Sequence, residues 1–127
     1  MSFLKGQTPQ ISQVKSANYT MTAADSGLVT FVDSSAGGVT ITLPAAATIS
    51  KSTYIIVAYA SSSNAIILLP DPDDYIVGLG DDGVPEKARI LASPKQGDYI
   101  IIHNSDLTVD ATCSFIQEAQ GGWTVEP

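Results

Sequence analysis

This 127-residue chain reads as an all-β protein: a compact antiparallel β-sandwich or barrel, jelly-roll-like, carrying an extended N-terminal arm. Three observations predict this. Short runs rich in Val, Ile, Thr and Tyr recur along the chain, the composition and length of β-strands. Clusters of Gly, Asp, Asn and Ser separate those runs and supply turn chemistry. No stretch has the length or 3.6-residue period of a crossover helix, and neighbouring parallel strands ordinarily need such a connection. The expected pairing is therefore antiparallel.

Taken in order, residues 1–16 have no dense apolar pattern. Phe3, Leu4, Ile11 and Val14 are spaced anchors in a polar background broken by Gly6 and Pro9. They predict an arm that is ordered when it lies on a neighbour, and these four residues are the candidate binding residues. Residues 17–127 then form one β domain, since a chain of this size buries a single core without needing disulfides or metals. Strand signals fall at residues 17–22, 28–33, 39–43, 53–60, 65–69, 75–77, 88–91, 98–103, 112–118 and 123–126. The clearest is Val-Thr-Ile-Thr-Leu-Pro at residues 39–44, which alternates with the period of a half-buried strand and ends on a residue that cannot donate to a ladder. Turns are expected at residues 25–27, 34–38, 61–64, 78–80, 81–83 and 121–122, and single helical turns at 22–25 and 45–48. Residues 54–59 and 99–102 are apolar on both faces. A strand of that kind needs cover on both sides, and with no long helix available the second cover is expected to come partly from another subunit.

The composition sets the partners. Formal net charge is −7, and the six basic residues, Lys5, Lys15, Lys51, Lys87, Arg89 and Lys95, are scattered. Nucleic acid and anionic membrane surfaces are therefore excluded as expected partners, because both need clustered cations. Only 15% of residues are charged, and a lightly charged surface is less costly to desolvate against another subunit. Cys113 is the only cysteine, so no intrachain disulfide forms; it is expected to be a small buried residue on the face of Phe115. Residues 1–5 lack the apolar segment of a signal peptide, and no apolar run is long enough to span a bilayer. Synthesis in a cytoplasm is the resulting expectation.

No set of residues reads as an active site. His103, the lone histidine, precedes Asn104 and Asp106, and with a serine it would sketch a triad. The serines, however, occupy turns and none sits in a Gly-x-Ser-x-Gly elbow. Asp71, Asp73, Asp74, Asp81 and Asp82 are dense enough to consider for Ca²⁺, but their spacing departs from an EF-hand loop. A solvated, Pro-bounded loop is the better reading, and no metal or cofactor is expected. The Asn18-Tyr-Thr20 sequon is accidental in a cytoplasmic product. Tyr54, Tyr59, Tyr75, Tyr99 and Trp123 would stack on sugars if several shared an exposed face, while Trp123 reads more naturally as a core or interface anchor.

The order of the pieces resembles a β module of tailed-bacteriophage virion proteins. Its loose pattern runs Tyr-Thr-x-Thr-Ala-Ala-Asp-x-Gly, Val-Thr-Ile-Thr-Leu-Pro, an apolar strand, an Asn-containing turn, Ile-x-Ile-x-Pro, Ile-x-Gly and a closing Gly-x-Trp-x-Val. Here these look like residues 19–27, 39–44, 54–60, 63–64, 66–70, 76–78 and 122–125, so the likeness covers most of the chain. The resemblance implies a structural protein without catalytic activity, of the kind found in capsid decoration (cement or head-fibre) proteins, tail fibres and tailspikes, commonly as homotrimers. The chain lacks heptads and a fibrous shaft and has an acidic insertion at residues 71–89. These departures favour a trimeric decoration protein that binds the major capsid protein on the outside of the phage head. The alternative is a tail-fibre or receptor-binding module that contacts a host glycan.

Overall fold

In the computed structural model, the described residues are 12–45, 52–72, 74–78, 87–104 and 113–127. The strands are β1 (Ser12–Lys15), β2 (Tyr19–Thr20), β3 (Val29–Val32), β4 (Val39–Thr42), β5 (Ser52–Ala58), β6 (Ile66–Leu69), β7 (Tyr75–Val77), β8 (Arg89–Leu91), β9 (Tyr99–Asn104), β10 (Cys113–Gln120) and β11 (Trp123–Val125). The all-β expectation holds: the described residues contain one 3-10 turn, Ala23–Asp25, and otherwise strands and loops. All the expected strands from residue 17 onward are present within a few residues of their expected limits. β1 was not foreseen. Its Gln13 and Lys15 hide the alternation that marks a strand, and its segment reads as arm.

The strands form a six-stranded sheet in the order β1-β3-β5-β9-β10-β7 and a five-stranded sheet in the order β11-β8-β6-β4-β2. The arrangement is sandwich-like, but the antiparallel, jelly-roll-like expectation is corrected. β1–β3, β3–β5, β2–β4, β4–β6 and β7–β10 pair in parallel. β5–β9, β9–β10, β6–β8 and β8–β11 pair antiparallel. The expectation failed because a crossover need not be a helix. From β1 to β9 the chain alternates between the sheets, and each of β2 to β5 is the crossover between two parallel neighbours of the other sheet.

This winding stacks the turns. Ser34 donates from its hydroxyl to the Asn64 carbonyl at 2.9 Å, and Ser62 Oγ and Asn64 Nδ2 donate to the Ser34 carbonyl at 2.9 and 3.0 Å. The Ser-rich turns at residues 34–38 and 61–64 thus satisfy each other's polar groups where successive rungs meet. Below them, Asn18 Oδ1 accepts the Thr40 N–H at 2.8 Å.

Between the sheets lies one apolar core. Tyr54, Ile56, Ile100 and Ile102 of the larger sheet face Val39, Ile41, Ile66, Leu68 and Leu91 of the smaller, and all are at most 1% exposed. A fully buried Ile or Leu contributes about 1.5–3 kcal/mol relative to an exposed one, so this cluster is the main source of stability. Trp123, 7% exposed, belongs to it and its indole N–H reaches the carbonyls of Tyr99 (2.9 Å) and Gln120 (3.0 Å), which joins the two sheets. Its reading as a core anchor is met. The turn before it needs Gly121, at φ 111°, where a Cβ would come within 2.6 Å of the Asp98 carboxyl carbon.

Of the charged residues buried among those described, Asp25, Asp74, Arg89 and Asp98, two tie separate elements together. Arg89, on β8, is fully buried beside Leu68, and its Nη2 donates to the carbonyls of Ile76 (2.6 Å) and Gly78 (3.0 Å), holding β7 against the smaller sheet. Asp25 is 5% exposed and closes the Tyr19–Gly27 motif. It accepts the Thr22 N–H at 2.8 Å, the Tyr19 hydroxyl at 2.8 Å and the Gln13 amide at 3.0 Å. Burial alone would raise its carboxyl; these hydrogen bonds outweigh burial and hold it below the ordinary aspartate range. The motif is therefore a latch that ties β1, β2 and the 3-10 turn together.

Candidate functional site

The register places three rows of side chains on the outside of the six-stranded sheet. One row runs Val14, Phe31, Val57, Tyr99, Gln120; the next runs Ser12, Val29, Ile55, Ile101, Glu118; the third runs Thr53, His103, Phe115, Val77. Their strand neighbours point inward: Thr30, Val32, Tyr54, Ile56, Ala58, Ile100 and Ile102 are buried. Tyr59, two residues past Val57 and just beyond β5, stands on the same side next to this row, and its ring meets Phe31 edge-on at 6.1 Å between centroids. Among the described residues the large apolar side chains most open to solvent are Val14 (52%), Tyr59 (47%) and Phe115 (38%). All three stand on this one face, and each belongs to a different strand or its end. Scattered surface hydrophobics are ordinary, but a contiguous apolar sheet face marks a contact surface.

The strand pattern explains why this face exists. In β5 the run Tyr-Ile-Ile-Val-Ala carries apolar residues at both parities, so the pleat sends Tyr54, Ile56 and Ala58 into the core and Ile55 and Val57 outward. β9 does the same with Ile100 and Ile102 inside and Tyr99 and Ile101 outside. The five-stranded sheet covers the inner side of these strands; the outer positions keep partial exposure.

Few polar groups interrupt the face. The Tyr99 hydroxyl donates to the Glu118 carboxylate, and this bond, with smaller contributions from burial and the carboxylate's charge, raises the tyrosine above its ordinary pKa. His103 Nδ1 lies 3.2 Å from the Thr53 hydroxyl, and its cross-strand neighbour on the other side is Phe115. Asp106, the acid that would complete a triad, is outside the described residues.

Of the candidate binding residues, Val14 takes part in this face as the outward residue of edge strand β1, directly beside Phe31. Phe3, Leu4 and Ile11 lie outside the described residues. Of the aromatic residues considered for sugars, Tyr59, Tyr75 and Tyr99 lie on the outer side, while Tyr54 and Trp123 are core. Of the acidic cluster, Asp73, Asp81 and Asp82 are outside the described residues; Asp71 is partly exposed. Asp74 departs from the expected solvated loop: it is 7% exposed and opens onto β7 through a turn in which its N–H reaches the Asp71 carbonyl. The side chain of Cys113 is outside the described set. Among the described residues no group of three or more His, Cys, Asp or Glu is placed to hold a metal ion, and no helix is long and apolar enough to cross a membrane.

The individual members Ile55, Ile101 and Phe31 were not singled out from sequence. The signal was available in the two-faced apolar runs, but which parity faces outward follows from which sheet supplies the core. No protein-family model, curated protein or solved structure matches this chain.

Proposed function

We propose that this chain is a structural virion protein: a trimeric decoration (cement) subunit that binds the major capsid protein on the outside of a tailed-phage head and stabilises the shell, without catalytic activity. The observation that carries the reading is the apolar outer face of the six-stranded sheet, built from residues of β1, β3, β5, β9 and β10. Such a face is costly to leave in water and gains its value in an assembly. Val14 belongs to the edge strand β1, and residues 1–11, which precede it in sequence, hold Phe3, Leu4 and Ile11, the other residues proposed to grip the shell. Three linked copies multiply weak arm contacts through effective concentration, and binding to the assembled shell stabilises it by mass action.

Cryo-electron microscopy of virions assembled with the chain tests this. Density at threefold positions on the outer head is the expected result, and density on neither head nor tail overturns the reading. Deleting residues 2–14 should lower head occupancy; unchanged occupancy removes the arm from the proposal.

One observation favours the alternative of a receptor-binding tail module: Tyr59 and Tyr99 share an exposed side with Phe31. It ranks second because the centre of that face is aliphatic, Val29, Ile55, Val57 and Ile101, whereas a sugar site sets fixed hydrogen-bonding groups around its aromatic platform. Glycan-array binding with density on the tail would reverse the order.

A further inference from the structure

We propose that the occupant of the outer face of the six-stranded sheet is a second copy of this chain, so that Ile55, Val57, Ile101 and Phe31 form a homomeric interface while the capsid contact lies elsewhere. This rests on the reading of the chain as an assembling structural subunit and names the partner of that surface. The argument is electrostatic. The chain carries 13 Asp and Glu against 6 Lys and Arg, so two copies repel at any surface that samples this composition. On the three outer rows the acids reduce to Glu118, whose carboxylate is engaged by the Tyr99 hydroxyl, and no lysine or arginine is present. A face built for a basic partner would display the chain's abundant carboxylates, and a face built for an acidic partner would collect its few cations. A face whose one acid stands at its margin lets two copies of an acidic chain meet with few like charges opposed. The outer rows of the five-stranded sheet among the described residues are also uncharged, but threonines make up four of their seven positions, so the aliphatic and aromatic face of the larger sheet gains more from a contact.

Size limits how the copies meet. Six strands about 4.8 Å apart, with rows spanning about five residues of ~3.4 Å rise, give a face of roughly 500 Å² in projection. Stable interfaces begin near about 600 Å² of accessible surface per partner. Once the relief of the Phe31 and Tyr59 rings is counted, the face reaches that range only if nearly all of it is covered. A single charge at its centre is therefore enough to open it. Thr53 and Glu118 at the margin, with His103, fit the polar rim of such a contact.

The test uses the full chain. Sedimentation should give an oligomer at micromolar concentration, and Ile101→Glu should raise its dissociation constant by at least tenfold. Ile67→Glu, on the outside of the other sheet, should leave it within twofold. Because a variant can lose its fold, hydrogen exchange on the unaltered chain supplies a second measurement: amides of β5 and β9 should gain protection between dilute and concentrated samples. An oligomer that Ile101→Glu leaves intact in a folded protein overturns the proposal. So does a wild-type monomer whose β5 and β9 protection is independent of concentration, which would assign the face to the chain's own segments. If the chain decorates heads but sediments and binds as a monomer, this inference fails and decoration stands. If it assembles through this face yet never appears on a virion, decoration fails and this inference stands.

Discussion

On the outside of the six-stranded sheet, Ile55 stands between Val29 and Ile101; on the outside of the five-stranded sheet, Thr42 stands between Thr20 and Leu69. The next row of the smaller sheet runs Thr40, Ile67, Ile90, Thr124, an aliphatic pair flanked by threonines, and Thr124 places its hydroxyl 3.3 Å from the Ile90 carbonyl. Both sheets use the same alternation to fill the shared core, so the inner residues do not distinguish them. The outer residues do. Threonine keeps the β-branch that suits a strand while offering water a hydroxyl, so the smaller sheet is compatible with solvent. The larger sheet replaces that hydroxyl with Ile, Val, Phe and Tyr, which gain nothing in a monomer and much in a contact. A strand's inward side reports the fold and its outward side reports the surroundings.

The largest difference between inward and outward side chains is expected within one strand. Ile56→Ala removes a fully buried side chain and should cost about 2–5 kcal/mol of monomer stability in denaturant unfolding. Ile55→Ala, one residue away on the outer face, should cost well under half of that in dilute solution while weakening self-association. Equal losses at both positions in dilute monomer would mean the outer side is core.

The next effect concerns the latch beneath β1. Asp25→Asn removes the charged acceptor that gathers Thr22, Tyr19 and Gln13, and should destabilise the chain by about 1–3 kcal/mol at neutral pH. The pH dependence has a definite sign. The folded carboxyl lies below the ordinary aspartate value of 3.8, so the unfolded chain binds more protons in the interval between the two values. The stabilisation is present above pH 3.8 and is lost as pH falls through the folded value. Unfolding measured from pH 7 down to 2 should show a steeper acid loss for the wild type than for Asp25→Asn.

A smaller contrast separates the outer faces themselves. Thr40→Val should change stability by within about 0.5 kcal/mol and leave the oligomer unchanged, whereas Val57→Thr, of similar shape, should weaken the oligomer. The smallest effect is spectroscopic: Tyr99 should ionise above the ordinary tyrosine value of 10.0, and Glu118→Gln should bring it back down. An unchanged ultraviolet titration would remove the Tyr99–Glu118 bond from the rim.

Much of this protein was written in its pattern of residues. Alternation in Val-Thr-Ile-Thr, the two-faced runs of β5 and β9, and the turn chemistry between them determine that the chain is all-β and where its strands lie, because the pleat imposes its period locally. The burial of Trp123 and the presence of apolar residues on both sides of β5 follow from the same local logic. Strand partners do not. Parallel pairing of β3 with β5 depends on β4 crossing in the opposite sheet, and the offsets between paired residues change from one rung to the next, so no sequence period announces the winding. Only the tertiary structure turns Gln13 from an arm residue into a ligand of Asp25, carries Arg89 into the core to hold the β7 carbonyls, and gathers Val14, Tyr59 and Phe115 on one side. The physical reason is common to all three: local sterics set the direction of each side chain, while its neighbour arrives from a distant part of the chain through the closing of the two sheets on one core.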